Sequence, residues 1–267
     1  MKMLLGHEWV DRDDTIDVRD PFDDSLIDTV PAANHDDVET ALATAAAAKD
    51  TARGMTTYER AQVLYGTAAI IADDLEEFAR TIAREGSKTI SEARGEARRC
   101  VNTLTIAAEE AKRLQGETIP FDSFPGGEVR RGYYERVPIG VVLAITPFND
   151  PLNLVAHKLG PAIAGGNAVI LKPATVTPLS GLKLTEAFME AGLPAGVLQC
   201  ITGYGAVLGD ALVEDPRVRM VSFTGGVEAG ERIMSRIGLK KVGMELGSNS
   251  PVIVWKDADL DWAVETC

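Results

Sequence analysis

Cysteine is scarce in this chain of 267 residues, which contains three, at Cys100, Cys200 and Cys267. An odd and widely spaced set excludes a disulfide framework and predicts a protein of a reducing cytoplasm. The sequence also lacks any run of about 18 uninterrupted apolar residues, so we expect no membrane-spanning helix. No membrane partner is expected either, because an anionic membrane requires a basic face and the chain is acidic. Its opening, MKMLLGHEWV, turns polar too early for a secretory signal.

Lysine is also rare, with 10 residues beside 17 arginines, whereas aspartate and glutamate contribute 20 each. The formal net charge of −13 argues against a nucleic-acid partner, because such a partner requires a basic face. Two interpretations of this acidity stay open, adaptation to high salt or an ordinary acidic enzyme. His7, His35 and His157 lack the spacing of metal ligands, so no metal site is expected.

Residues 1–116 are predicted to form a hairpin followed by a helical layer. The alternating segments TIDVRD and LIDTVP flank the turn-rich DPFDDS, which indicates a β-hairpin. Asn34 is placed to cap the first helix, and Thr56 with Glu59 forms the spacing of a capping box before the second. Gly86 is predicted to end the third helix, and a long fourth helix follows.

Residues 139–267 alternate between short apolar runs and helix-like segments. The strand-like runs are VVLAITP, AVILKP, VLQCIT, VRMVSFTG, KKVGMEL and PVIVW. This alternation predicts an α/β protein with a Rossmann-like, doubly wound parallel sheet covered by helices on both faces. Between the two parts, residues 117–138 are predicted to be extended and joined by the turn DSFPGG.

Several unusual residues follow the predicted strands, at the edge where doubly wound sheets bind ligands. Asn149 lies between two prolines, and Lys172 ends a strand; the alternatives are a helix cap for the first and a solvated side chain for the second. Gly203, Gly205 and Gly209 form a pattern one residue longer than the dinucleotide fingerprint, which is a weak signal for phosphate.

Two further junctions add to this pattern. Gly225 and Gly226 precede a predicted helix, where a pyrophosphate could lie, and Glu245 ends an apolar strand. In order along the chain, ITPFNDPLN, ILKPA, FTGG with Gly230 four residues on, and MELGSNSP resemble the aldehyde dehydrogenase superfamily. The run PLNL-x-AHKLGPAIA-x-GN is most similar to the branch of lactaldehyde and non-phosphorylating glyceraldehyde-3-phosphate dehydrogenases.

The resemblance implies a reaction, a cofactor and an assembly. A full-length member oxidises an aldehyde to its acid with NADP or NAD, through a thioester on a cysteine. Residues 117–138 resemble bridging strands that pair across subunits, so a homodimer or tetramer is expected. A nucleotide-binding module without activity is the alternative, and the related acyl-phosphate reductases are disfavoured because they generally lack the residue matched by Glu245.

The same resemblance assigns roles to individual residues. Asn149 matches the amide that holds the oxyanion, and Glu245 matches the base that activates water for hydrolysis of the thioester. Lys158 matches a lysine that relays protons from this glutamate, and Lys172 matches the lysine that holds the adenosine ribose. The other positions that match the cofactor-lining set are Ile145, Thr146, Pro147, Phe148, Ala174, Thr175, Gly205, Gly209, Phe223, Thr224, Gly225, Gly226 and Leu246. Those that match the substrate wall are Asp150, Leu154 and His157.

Three departures from the family pattern bear on specificity. Thr175 stands where many NAD-dependent members have a glutamate that repels a 2′-phosphate, so use of NADP is expected. Ser248 replaces the second glycine of ELGG and adds a side chain near the site. Asp150 replaces an aromatic residue and, with His157, predicts a polar wall suited to a small hydroxylated or charged aldehyde; the alternative is a change of packing.

The nucleophilic cysteine has no match in this sequence. In the family it follows the glutamate in a context like F-x-N-x-G-Q-x-C, whereas Cys267 lies in DWAVETC, 22 residues after Glu245. All three cysteines are interpreted as ordinary small apolar residues. We therefore expect the chain to be the cofactor-binding half of an aldehyde dehydrogenase without its catalytic domain, and inactive alone.

Overall fold

A computed structural model describes residues 1–266, and a seven-stranded sheet forms its centre. The strands are β1 (Met3–Leu5), β2 (Glu8–Val10), β3 (Thr15–Arg19), β4 (Leu26–Pro31), β5 (Glu117–Ile119), β6 (Gly132–Tyr134), β7 (Val141–Ile145), β8 (Ala168–Lys172), β9 (Leu198–Cys200), β10 (Val218–Thr224) and β11 (Lys241–Glu245). The helices are α1 (His35–Gly54), α2 (Thr57–Asp73), α3 (Leu75–Gly86), α4 (Ile90–Ala111), α5 (Asn153–Ala164), α6 (Leu179–Glu190), α7 (Gly205–Glu214), α8 (Val227–Arg236) and α9 (Leu260–Thr266). The predicted α/β class is confirmed.

The central sheet has the order β11-β10-β7-β8-β9-β1-β2, and the pairs from β11 to β9 are parallel. Strand β7 lies between β8, which follows it in sequence, and β10, so the winding changes direction there. The carboxyl ends meet at one edge, with Ile145 beside both Lys172 and Phe223, and Thr224 beside Glu245. A reversal of this kind opens a crevice at the carboxyl edge, where doubly wound proteins bind ligands.

Alternate residues of β7 belong to two different hydrophobic clusters. Val142 and Ala144 pack in the cluster that includes α2 to α6, whereas Val141 and Leu143 pack in the cluster that includes α1 and α7. Successive side chains of a strand point to opposite faces, so helices cover both sides of the sheet. Within residues 1–266, no helix is both long and apolar enough to cross a bilayer.

Two predicted helix caps are confirmed, and the third helix ends at Gly86 as predicted, although the left-handed cap position falls one residue later. Asn34 accepts from the backbone of Asp37, and Thr56 accepts from that of Glu59, each in a reciprocal capping box. Gly86 is the last residue of α3, and Ser87 adopts the left-handed conformation instead, with φ of 57°. The chain must reverse there because Thr89, two residues later, already caps α4.

Three extended segments differ from prediction. Residues 251–255 (PVIVW) form no strand and are exposed, with Val252 72% and Trp255 66% accessible, because no described strand lies beside them. Of EVRRGYYERVP, Gly132–Tyr134 alone is a strand, paired with β5. Strands β1 and β2 were not predicted, because their apolar runs are too short to be recognised. These two strands join the central sheet through the pairing of β1 with β9. The predicted domain limits after residues 116 and 138 stay predictions.

Candidate cofactor and active site

A cavity of about 380 Å³ opens at the carboxyl edge of the sheet, between α7, α8 and the ends of β7, β8 and β10. Its lining includes Ile145, Lys172, Gly205, Gly209 and Phe223. The structure thus brings together five residues that are separate in sequence and were predicted to contact a cofactor. This convergence follows from the parallel register, which places the ends of neighbouring strands side by side.

The glycines of this cavity leave open space. A Cβ atom built on Gly205 or Gly209 in the lining, or on Gly226 just before α8, would meet no atom within 4 Å, so packing inside the chain does not require glycine there. Helices α7 and α8 also begin without a side-chain cap, which leaves their first N–H groups free of that partner. Open backbone at a helix N-terminus suits the pyrophosphate of a dinucleotide, and the residues present therefore fit such a group.

Lys172 lies at the floor of the cavity and is held by two oxygens. Its Nζ donates to the carbonyl of Pro173 at 3.0 Å and to Thr175 Oγ1 at 3.2 Å. The Thr175 hydroxyl in turn donates to the carbonyl of Gly203 at 3.0 Å. Burial disfavours the charged amine and lowers the pKa of Lys172 to about 8. The amine of Lys172 is therefore a donor with a fixed position in the cavity, and the residue bonded to it, Thr175, is uncharged.

Two glycines create room for side chains beside the cavity. A Cβ on Gly225 would lie 2.5 Å from Phe223 Cζ, and one on Gly230 would lie 2.6 Å from Leu246 Cδ2. The backbone N–H of Gly225 donates to the carbonyl of Glu245 at 3.1 Å, which ties the turn after β10 to the end of β11. The first glycine of FTGG is thus needed because the ring of Phe223 packs against it, and Gly230 is needed because Leu246 packs against it.

Lys158 and Glu245 both lie beside Thr224, at the end of β10. Lys158, on α5, is buried and donates to Ser222 Oγ at 3.2 Å and to Thr224 Oγ1 at 2.9 Å. Burial lowers the pKa of Lys158 to about 8, although the negative charge of Glu245 opposes this effect. Glu245 is paired with Thr224 in the sheet and is exposed at the carboxyl edge. The structure thus brings a buried amine and an exposed carboxylate to the same strand end.

The loop after β7 presents Asn149 to solvent. Its first residue, Thr146, is buried, and the N–H of Thr146 donates to the carbonyl of Lys172 at 3.3 Å. Phe148 is 63% accessible and Asn149 is exposed, so the side-chain amide of Asn149 can meet a ligand. The carboxylate of the next residue, Asp150, forms ion pairs with Lys88 and Arg99.

The predicted substrate residues share one segment but have different surroundings. His157 lines a cavity of about 310 Å³ between α4 and α5, together with Thr103 and Glu110. Leu154 is half-buried one turn before it, and Asp150 forms its ion pairs at the start of the same segment. The structure therefore places Asp150 in a charge network, which sequence reasoning did not predict.

The remaining predicted cofactor positions lie around these cavities. Thr175 and Phe148 line a neighbouring cavity of about 640 Å³, which also contacts the β3–β4 hairpin. Pro147 and Ala174 are half-buried beside the ends of β7 and β8. Sequence reasoning missed the ion pair between Arg232 Nη2 and Asp210 Oδ2, at 2.7 Å, which joins α7 and α8 at the first cavity. Two exposed charges on separate helices carry no local signal that would reveal their contact.

The described cysteines lie in the core. Cys100 and Cys200 are fully buried, and burial raises the pKa of both thiols, for Cys200 to about 12. A thiol of this kind is a poor nucleophile, as expected for a small apolar residue. Cys267 lies outside the described residues. Among residues 1–266, no three histidine, cysteine or acidic side chains form a group that could bind a metal ion.

The sequence profile described as "Aldehyde dehydrogenase family" matches residues 9–267. The chain belongs to the aldehyde dehydrogenase family. It is 51% identical over 252 residues to aspartate-semialdehyde dehydrogenase 1 of Pseudomonas canavaninivorans, with 94% of this chain and 53% of that protein covered. It is 49% identical over 262 residues to 3-sulfolactaldehyde dehydrogenase of Priestia megaterium, with 98% and 54% covered.

The fold agrees with a solved member of the family. NADP-dependent glyceraldehyde-3-phosphate dehydrogenase from Bacillus halodurans, complexed with NADP, superposes with a TM-score of 0.93 at 39% identity. The match covers 99% of this chain and 56% of that one. The chain therefore spans about half the length of the relatives that it matches. These comparisons support a nicotinamide cofactor and oxidation of aldehydes in general.

Proposed function

We propose that this chain binds NADP or NAD and supplies the oxyanion donor and the hydrolytic base of an enzyme that oxidises a small acidic aldehyde to its acid. The observation that supports the proposal best is convergence at one edge of the sheet. Lys172 ends β8, Glu245 ends β11, and the loop after β7 carries Asn149, so all three lie at the carboxyl edge of one parallel sheet.

Each residue in the crevice suits a distinct part of this chemistry. When bound, the nicotinamide cofactor accepts a hydride from the aldehyde carbon. The exposed amide of Asn149 can donate to the carbonyl oxygen, which becomes an oxyanion after attack by a thiolate. The exposed Glu245 carboxylate can take a proton from water, and Lys158, beside Thr224, can pass protons onward. Lys172 can donate to a ribose hydroxyl at the cavity floor.

The substrate class is proposed from the polar wall and the relatives. Aspartate semialdehyde, 3-sulfolactaldehyde and glyceraldehyde 3-phosphate, the compounds in the names of the matched proteins, bear a carboxylate, a sulfonate and a phosphate. His157 can donate to such a group from the cavity between α4 and α5, and the exposed guanidinium of Arg99, on α4, contacts Asp150 at the start of the segment that carries His157. An uncharged aldehyde would use neither donor.

The full-length protein should form NAD(P)H faster with acidic aldehydes than with uncharged ones of equal length. Succinate semialdehyde against butanal is a matched pair, and initial NAD(P)H absorbance gives kcat/KM for both. One charge-assisted contact corresponds to roughly a 10- to 100-fold preference. Equal values for the two aldehydes would contradict the proposed class. Cofactor binding without turnover of either would instead support an inactive nucleotide-binding module.

Thr175→Glu should weaken NADP binding and leave NAD binding nearly unchanged. The substitution places a carboxylate where the Thr175 hydroxyl now contacts Lys172, and a like charge near a 2′-phosphate costs about 1 to 4 kcal/mol at a partly exposed site. Fluorescence titration of both cofactors on the full-length protein measures this change. The matched control is Thr175→Val, which removes the hydroxyl without adding charge. A wild type that strongly prefers NAD, with NADP affinity unaltered in Thr175→Glu, would show that residue 175 does not contact the ribose.

We also propose that the complete protein is a homo-oligomer joined through β5 and β6. Both strands belong to an isolated two-stranded sheet, and Ile119 and Tyr133 on them are exposed. Isolated pairs of strands with apolar residues are usually paired or covered. Light scattering of the full-length protein distinguishes a dimer or tetramer from a monomer.

A further inference from the structure

Glu96 is a buried charge in the middle of α4, with 0% of the residue accessible. Its Oε1 accepts the backbone N–H groups of Leu152 at 2.9 Å and Asn153 at 3.0 Å, at the start of α5. Leu152, the residue before α5, stands at the cap position but provides no side-chain hydrogen bond to the helix. A carboxylate from another helix therefore replaces the missing cap and meets the positive end of the α5 dipole.

The second oxygen of Glu96 belongs to a chain of ion pairs. Oε2 accepts from Lys88 Nζ at 2.7 Å, and Lys88 also contacts the carboxylate of Asp150. Asp150 Oδ2 in turn accepts from Arg99 Nη2 at 2.8 Å. Burial opposes the charge of Lys88, but the hydrogen bonds to Asp150 and Glu96 outweigh it and raise the pKa of Lys88. Along the network, acidic and basic side chains alternate, in the order Glu96, Lys88, Asp150 and Arg99.

The network holds the segment that carries Asn149. Before Asn149, the backbone of Thr146 is bonded to the end of β8. After it, Asp150 is held by Lys88, and the N–H of Leu152 is held by Glu96. Residues 147–149 are thus the free part of a loop fixed on both sides. Burial leaves Glu96 little freedom to move, so the fixed end after Asn149 depends on α4 rather than on the loop itself.

We propose that Glu96 and Lys88 are positioning residues that hold the Asn149 amide at the place where the oxyanion forms. The inference rests on the proposed role of Asn149. A displacement of about 1 Å in such a donor costs roughly 100-fold in rate. Loss of the network should therefore slow the step that needs the amide, the formation of the acyl-enzyme, and leave the affinity for the cofactor unchanged.

Single variants of the full-length protein give the first test, with stopped-flow NAD(P)H formation and fluorescence titration of the cofactor. Glu96→Ala should slow the pre-steady-state burst roughly 10- to 100-fold, with cofactor Kd unchanged. Glu96→Gln keeps an oxygen for the two N–H groups and should recover most of the burst rate. If Glu96→Ala does not fold, Lys88→Met is the second variant. It keeps the bonds from Glu96 to the start of α5 and removes the ion pairs of Lys88 with Glu96 and Asp150. Arg94→Met, on the same helix as Glu96, removes an exposed ion pair to Glu76 of α3; it is the control and should keep the wild-type burst.

Combination with Asn149→Ala separates positioning from general damage. If Glu96 acts through Asn149, Glu96→Ala should add less than about 3-fold to the loss already caused by Asn149→Ala, because contacting parts of one unit are not additive. If Glu96→Ala slows the burst as much in the Asn149→Ala protein as it does in the wild type, the inference is overturned while the proposed function stays intact. A wild-type burst in Asn149→Ala would overturn the role of Asn149 itself, and the inference with it.

Discussion

Glu245→Gln should preserve the first turnover of the full-length enzyme and suppress later ones. Glu245 is exposed at the end of β11, so its carboxylate has access to water, and Thr224 beside it accepts from Lys158. Glutamine has nearly the same shape but cannot take that proton. General bases contribute roughly 100- to 10,000-fold, so the steady-state rate should fall within that range.

Stopped-flow measurement of NAD(P)H separates the two phases of this variant. The expected trace is a burst of nearly wild-type amplitude followed by a flat line, because acyl-enzyme forms but is not hydrolysed. Glu231→Gln, on the exposed surface of α8, is the matched control and should behave as wild type. Burst and steady state reduced by the same factor would place Glu245 in formation of the acyl-enzyme rather than its hydrolysis.

Local sequence patterns predict the strands and caps that depend on near neighbours. VVLAI and AVILK are continuous apolar runs, and the structure buries them on both faces as β7 and β8. Asn34 and Thr56 cap helices through residues three positions away, so their signals lie within one turn. The crevice also follows from sequence, because parallel strands must place their carboxyl ends at one edge.

Contacts between distant segments could not be predicted in the same way. Glu96 caps α5 although it lies 56 residues before Leu152 in the chain. In the sequence, nothing distinguishes it from the other acidic residues of α4. Lys88 and Asp150 meet because α3 and α4 lie beside the loop after β7, a packing that no periodic pattern specifies. Residues 251–255 show the opposite error, because an apolar run predicts a strand whether or not a partner strand lies beside it.

Asn149→Ala should lower turnover of the full-length enzyme by roughly 100- to 1000-fold, the usual loss when one oxyanion donor is removed. The amide of Asn149 is exposed at the end of the loop after β7, beside the strand ends that line the cofactor cavity. A carbonyl oxygen gains negative charge as the thiolate attacks it, so the amide contributes more to the transition state than to the bound aldehyde. The loss should consequently appear in kcat, with KM for the aldehyde and Kd for the cofactor changed little.

Asn149→Asp makes the same test sharper, because aspartate has the shape of asparagine but replaces the donor with a negative charge. Repulsion between this carboxylate and the oxyanion should make the variant slower than Asn149→Ala, whereas a role in packing alone would make it the milder of the two. Burst rates and cofactor titrations on both variants decide the question. A larger loss in Asn149→Ala than in Asn149→Asp, or a rise in KM with kcat unchanged, would mean that residue 149 orients the bound aldehyde and does not stabilise the oxyanion.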